Sequence, residues 1–192
     1  MAVTVGTSAG FVSSSPSSDP TNSLSAPIGG YQLAGKFTSP ASPFTVTELG
    51  WWQEHSTNQA LAYSLAIYTD NAAGDSGNGI PDDLIGTQVT GTLTANTEGW
   101  NKVATNITGL STSTTYWLAL GCASGTAHYG YESTGSRRHY DSSDASPNFL
   151  EDPWNGNNAS VIRLIAVYAL YEDASSGLSI PVAQSIYRRR RI

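Results

Sequence analysis

Apolar side chains recur at every second position in three segments, and that spacing sets the first expectation. In residues 61–69, Leu61, Tyr63, Leu65 and Ile67 alternate with Ala62, Ser64 and Ala66, large side chains on one face and small ones on the other. In residues 114–122, Tyr116, Leu118, Leu120 and Cys122 alternate with Trp117 and Ala119. A period of two is the period of a strand; a helix would scatter the same residues around its circumference. Residues 161–171 are apolar at almost every position except Arg163, the pattern of a central strand covered on both faces.

Weaker signals fill in the rest. Tyr31, Leu33 and Phe37 share a face in residues 31–37. Phe44 and Val46 are in phase, then Leu49 and Trp51 take the opposite phase, which predicts a bulge or bend beside Gly50. Residues 84–93 read as the strand returning from 61–69, residues 100–104 as a short strand, and residues 127–131 as a partner for 114–122 through a Ser124-Gly125 turn. Residues 132–159 are polar and irregular. The pattern predicts an all-β chain of about eight strands with no amphipathic helix of any length, most economically packed as an antiparallel two-sheet sandwich. The Ser-, Pro- and Gly-rich stretch 12–30 cannot bury enough apolar surface to offset its ordering entropy. Residues 1–30 therefore read as an N-terminal arm or linker, 31–172 as the sandwich, and 173–192 as a C-terminal arm ending in a basic tail.

Composition agrees. Charged residues make up only 12% of the 192 residues, their place taken by Ser, Thr, Gly and Asn, which suits strands and turns rather than solvated helices. The net charge of −6 conceals an asymmetry: Arg188, Arg189, Arg190 and Arg191 cluster at the C-terminus, leaving a strongly acidic body. Such a body excludes general nucleic-acid affinity for the domain. The four arginines then form a solvated tail, an anchor in an acidic groove of a neighbouring subunit, or a contact to nucleic acid or membrane. No stretch reaches the length of a membrane span, so membrane insertion is not expected. The N-terminus has neither a basic nor an apolar leader region and reads as non-secretory. Cys122 stands alone in an apolar run and reads as a buried, inert thiol.

Candidate chemistry is sparse. His55, His128 and His139 lack metal-ligand spacing, so no metal site is expected from them. The Asp-, Asn- and Gly-rich loop 70–83 is either an ordinary hairpin loop or a weak calcium site, with Gly74 and Ser76 standing where the leading carboxylates of a calcium loop belong. Glu48, Glu54 and Asp152 supply carboxylates without a spacing that pairs them. The reading is non-catalytic, with no cofactor. The aromatic residues Trp51, Trp52, Tyr129, Tyr131 and Trp154 are either core residues or a flat surface for a glycan or a protein partner.

Several segments carry a resemblance: Gly35-Lys36-Phe37-Thr38, Val46-Thr47-Glu48-Leu49, Leu65-Ala66-Ile67-Tyr68-Thr69-Asp70-Asn71, Ile80-Pro81, Leu84-Ile85-Gly86, Gly99-Trp100, Leu110 and Thr115-Tyr116-Trp117-Leu118-Ala119-Leu120. Over roughly residues 31–122 the chain resembles the jelly-roll-like β-sandwiches of bacterial surface proteins (choice-of-anchor domains) and phage virion proteins. The resemblance implies a jelly-roll-like sandwich that is adhesive or structural and transfers no catalytic residues. With no leader or anchor, it points to a virion protein assembled in the host cytoplasm as a capsid decoration, head fibre or tail component. Its implied partners are itself and other virion proteins. The alternative is an extracellular or cell-surface carbohydrate-binding module that attaches to glycans.

Overall fold

The structure, a computed structural model, describes residues 2–20, 24–28, 31–55, 60–122, 127–133, 138–142, 150–154 and 159–174. In chain order the strands are β1 (Gly10–Val12), β2 (Leu24–Pro27), β3 (Gln32–Thr38), β4 (Phe44–His55) and β5 (Ala62–Asn71). A helical turn, α1 (Gly74–Gly77), precedes β6 (Ile80–Thr92), β7 (Gly99–Ile107), β8 (Thr115–Cys122) and β9 (His128–Glu132). The last are β10 (Arg138–Ser142), β11 (Ala159–Ile162), β12 (Leu164–Ile165) and β13 (Val167–Asp173).

These strands form two sheets. The first runs β1-β13-β4-β9-β12, with β7 also on β4 and β2 also on β9; the second runs β11-β10-β3-β8-β5-β6. Every pairing is antiparallel except that of β1 with β13, which is parallel. The two-residue periodicity holds where it was strongest. Tyr63, Leu65 and Ile67 of β5 and Leu118, Leu120 and Cys122 of β8 turn into one core between the sheets, where they meet Leu33 and Phe37 of β3 and Val46, Leu49 and Trp51 of β4. The small-residue side of the second sheet is also buried: Ala34, Ala66, Tyr68, Trp117 and Ala119 pack beneath Leu150 and Trp154. The small side chains of Ala34, Ala66 and Ala119 leave room beside Tyr68 and Trp117 for the crossing segment.

That segment is fixed by its main chain. Leu150 N–H donates to Gln88 Oε1 (2.9 Å), Glu151 N–H to Gln32 Oε1 (3.1 Å) and Trp154 N–H to the Asp82 carbonyl (3.0 Å). The Tyr68 hydroxyl donates to the Glu151 carbonyl at 2.6 Å.

The structure departs from the sequence reading at several places. First, residues 161–171 are not one strand. β11 belongs to the second sheet, with Val161 and Ile162 facing solvent at 37% and 53% exposure, while β12 and β13 belong to the first. The chain crosses between sheets at Arg163, the one polar position in the run; burial on both faces holds only from Leu164 to Ala169. Second, β9 does not pair with β8. It lies in the other sheet against β2, β4 and β12. Third, the bulge in β4 falls at Thr47, the extra residue against β13, whose adjacent Leu170 and Tyr171 pair with Glu48 and Val46. The extra residue lets Val46 and Leu49 both face the core despite their odd spacing.

Fourth, the described part of residues 1–30 is not an arm outside the sandwich. Val3, Ala9, Phe11 and Ile28 are buried in the main core, and β1 and β2 are sheet members. Phe11 makes edge contacts with Phe44 (5.6 Å between centroids) and Tyr116 (6.2 Å). Strands this short draw their stability from neighbours rather than propensity, so composition alone does not reveal them. β10, in the stretch read as irregular, is of the same kind. At the other end, Asp173 still closes β13 and Ala174 N–H donates to the Pro43 carbonyl, so the sandwich extends two residues past its expected limit at 172. The short apolar run 178–182 lies outside the described residues.

Burial raises the pKa of several phenols. Tyr63 is pushed up to about 12 by desolvation. Tyr68 rises further, through burial first and then the carboxylates of Asp152 and Glu151. Tyr168 is raised too, chiefly by burial and next by its bond to Glu48. A phenol with a raised folded-state pKa keeps its proton in the folded chain while the unfolded chain releases it near pH 10. Stability is therefore undiminished below about pH 10 and falls as pH climbs beyond it. In an alkaline titration, loss of the β-sheet circular dichroism should coincide with the last part of the rise in tyrosinate absorbance, above pH 10. A full tyrosinate signal while the sheet signal is intact would contradict this burial.

Candidate functional site

The five aromatic residues, read as core or as a flat recognition surface, are mostly packed. Trp51 is fully buried in the core, edge-on to Tyr63 at 5.8 Å, and its indole N–H finds no acceptor among the described residues. Trp52 points the other way, as adjacent strand residues must, but is only 7% exposed: it packs on Trp100 and donates from Nε1 to Glu54 Oε2 at 2.8 Å. Trp154 is buried against Tyr68 on the far side of the second sheet. Tyr129 is buried, its hydroxyl accepting from Arg163 Nη1 at 2.6 Å. Tyr131, half-buried, lies beneath the same guanidinium, whose carbon is 4.2 Å from the ring centroid. Only Tyr129 and Tyr131 come together, and Arg163 occupies the face of Tyr131 that a planar ligand would need. A ring enclosed by protein stacks on no sugar, so of the two readings of this set, core and flat surface, burial favours the first for Trp51, Trp52, Tyr129 and Trp154.

Loop 70–83 is likewise committed to structure at its head. The Asp70 carboxylate forms an ion pair with Lys36 (3.0 Å) and accepts from Trp117 Nε1 (2.7 Å). Lys36 also donates to the Asn78 carbonyl at 2.8 Å and lies over the Trp117 ring. No cluster of three or more His, Cys, Asp or Glu side chains suited to a metal occurs among the described residues. His128 lies in register with His55 where β9 meets β4, whereas His139 lies in the second sheet on β10. Cys122 is buried and its thiol is pushed up to about 12 by desolvation, which disfavours the reactive thiolate. Among the described residues no helix is long and apolar enough to cross a membrane. Arg188 to Arg191 lie outside the described residues.

The densest polar constellation lies elsewhere, on the outer face of the first sheet. Glu48, Gly50 and Trp52 share that face of β4 by alternation; Tyr168 of β13 stands opposite Gly50, and Lys102 of β7 flanks Gly50 on the other side. The Tyr168 ring crosses Gly50 so closely that a β-carbon there would lie 2.5 Å from it, so the position requires glycine. Tyr168 is fully buried and donates to Glu48 Oε1 at 2.5 Å. Ser15, from the N-terminal segment, donates to the same oxygen at 2.7 Å. Lys102 Nζ donates to Ser15 Oγ (2.7 Å) and to the Pro16 carbonyl (2.6 Å), and Trp100 Nε1 donates to the Ser18 carbonyl (2.9 Å). The sheet thus grips residues 15–18 through one carboxylate, one ammonium and one indole. Sequence reading had considered Glu48 only as a possible catalytic carboxylate and passed over Ser15, Trp100, Lys102 and Tyr168, since none of these contacts is local.

The chemistry of this cluster is that of a clamp. Ser15 Oγ lies between Lys102 Nζ and Glu48 Oε1, so its hydroxyl is engaged on both sides. A second serine lies in the spacing of a nucleophile elbow, Gly6-Thr7-Ser8-Ala9-Gly10, which the sequence reading also missed. It does not form the strand-to-helix elbow. Residues 4–9 make a tight turn before β1, in which Ser8 Oγ accepts from Thr4 N–H at 2.9 Å. Between this turn and residues 14–20 lies a cavity of about 160 Å³ bordered largely by serine and threonine.

The chain matches no model of a known protein family, and no curated protein matches it.

The clamp carries a measurable weight. Tyr168→Phe removes the phenol bond to Glu48 while keeping the ring over Gly50. A hydrogen bond to a charged group contributes about 2 kcal/mol, so the variant should unfold at lower urea with an unchanged slope. An unshifted midpoint would mean that this bond holds nothing.

Proposed function

We propose that this chain is a non-enzymatic structural protein acting by self-assembly and surface presentation, as a phage virion component of the capsid-decoration, head-fibre or tail type. The observation that carries the reading is the contrast between the two edges of the second sheet. β6 begins Ile80-Pro81-Asp82-Asp83, with a proline and two carboxylates that discourage pairing with another chain. β11 has no such guard. It is uncharged, pairs only with β10 among the described residues, and turns Val161 and Ile162 to solvent. An exposed edge strand bearing β-branched apolar residues is a template for a second chain, and in a two-fold arrangement the same strand meets its own copy antiparallel.

Two further features favour the reading. The carboxylates and cations described above are bound to one another and to main chain, in arrangements that hold segments in place. The resemblance of residues 31–122 to virion and surface sandwiches supplies the class of assembly. The carbohydrate-binding alternative loses its nominated stacking residues to the core, and no observation here favours it over assembly.

The test is the mass of the protein in solution. The wild-type chain should form a stable multimer, and Val161→Lys with Ile162→Lys should reduce it to monomer. The change should cost the fold only about 0.5 kcal/mol, because both side chains are solvent-facing. Unchanged circular dichroism would show that the fold survives. A wild-type chain that stays monomeric at every concentration overturns the reading; a gene lying away from capsid, portal and tail genes counts against the virion assignment.

A further inference from the structure

The N-terminal segment occupies a slot whose shape and chemistry select it. At Gly10 the backbone has φ +74 and runs so close to the Phe37 ring that a β-carbon would sit 2.7 Å from it; glycine is required on both counts. Phe11 then enters between Phe44 and Tyr116, and β1 joins the free edge of β13 with Phe11 opposite Ala169 and Val12 opposite Leu170. Ser15 closes the fit on Glu48 and Lys102. The slot therefore accepts a strand that presents glycine, a large aromatic residue, a β-branched residue and, three positions later, a hydroxyl.

Every tie between segment and slot spans a long stretch of chain. Ser15 and Glu48 are 33 residues apart, Ser18 and Trp100 are 82 apart, and Ser15 and Tyr168 are 153 apart. On its two sides the segment is tied to the same sheet, Val3 N–H to Glu132 Oε1 and β2 to β9, so what favours the chain's own copy is its effective concentration, of millimolar order for a tethered segment. In a close-packed assembly a neighbouring chain offers the same strand at comparable concentration. The first twenty residues contain one ionisable side chain, Asp19, so their passage to an acidic neighbour meets little repulsion. Leaving the slot empty would bare Phe37, Phe44 and Tyr116, so release by one copy calls for replacement by another.

Building on the self-assembly reading, we propose that this slot is a strand-acceptor site whose partner is a second copy of this chain, residues 10–18 of one subunit filling the slot of the next. The contacts are those described above, made between chains instead of within one.

Cysteine placement at register partners tests this. In a Cys122→Ala background, chains carrying only Val12→Cys are co-expressed with chains carrying only Leu170→Cys and then oxidised. The expected result is a covalent dimer of twice the chain mass, absent when either variant is expressed alone. A chain carrying both cysteines is the control: its bridging, within or between chains, shows that the geometry allows the bond. If the doubly substituted chain closes on itself as a covalent monomer and the mixed single variants give no dimer, the proposal is overturned. Wild-type mass separates the two ideas: a multimer without cross-chain bridging removes strand exchange and leaves assembly standing, whereas a monomer removes both.

Discussion

A β-sheet has two faces, and here both sheets carry aromatic side chains on the face turned away from the core. Tyr68 and Trp117 project from the back of the second sheet, and Trp52, Trp100 and Tyr168 from the back of the first. Two layers stacked on one another hide only their inner sides. Each fully buried aromatic or aliphatic side chain is worth about 1.5–3 kcal/mol, so an uncovered back would forfeit a large part of the marginal stability of such a domain. The fold answers with two extended segments, residues 150–154 over one sheet and residues 15–18 over the other. Both are gripped by polar bonds to their main chain, and Leu150 and Trp154 add apolar contact on the second sheet.

This need for covering explains what was legible in the sequence and what was not. Periodicity in β5 and β8 reports on each strand's own alternation, and both faces of both strands were read correctly from it. The small residues Ala62, Ser64 and Ala66 marked a second, flatter face. Nothing local in Leu150-Glu151-Asp152-Pro153-Trp154 or in Ser15-Pro16-Ser17-Ser18 says that they are the covers, because their partners (Gln32, Gln88, Glu48, Lys102) lie far away in sequence. The misreading of residues 161–171 has the same root. An apolar run is equally compatible with one strand buried on both faces and with two strands divided between sheets. Arg163 was the only residue to mark the corner, and its partners Tyr129 and Tyr131 come from another element.

The candidate site shows the limit most clearly. Exposed aromatic residues and buried ones have the same letters, and Trp51, Trp52, Tyr129 and Trp154 turned out to be packing residues. The polar cluster around Glu48 left one clue in sequence, a glycine flanked at two residues by a carboxylate and a tryptophan, Glu48-Leu49-Gly50-Trp51-Trp52. That clue indicates a close approach to the sheet but does not name Tyr168 as the group that approaches.

The parallel pairing of β1 with β13 has a mechanical consequence. When tension is applied to the two ends of the chain, β1 and β13 are drawn past one another along their length, and the bonds joining Gly10–Val12 to residues 168–170 bear load together rather than opening one after another. Ser15 on Glu48 and Trp100 on Ser18 lie along the same route and share that load. A molecule built this way resists stretching between these strands more than peeling at an edge.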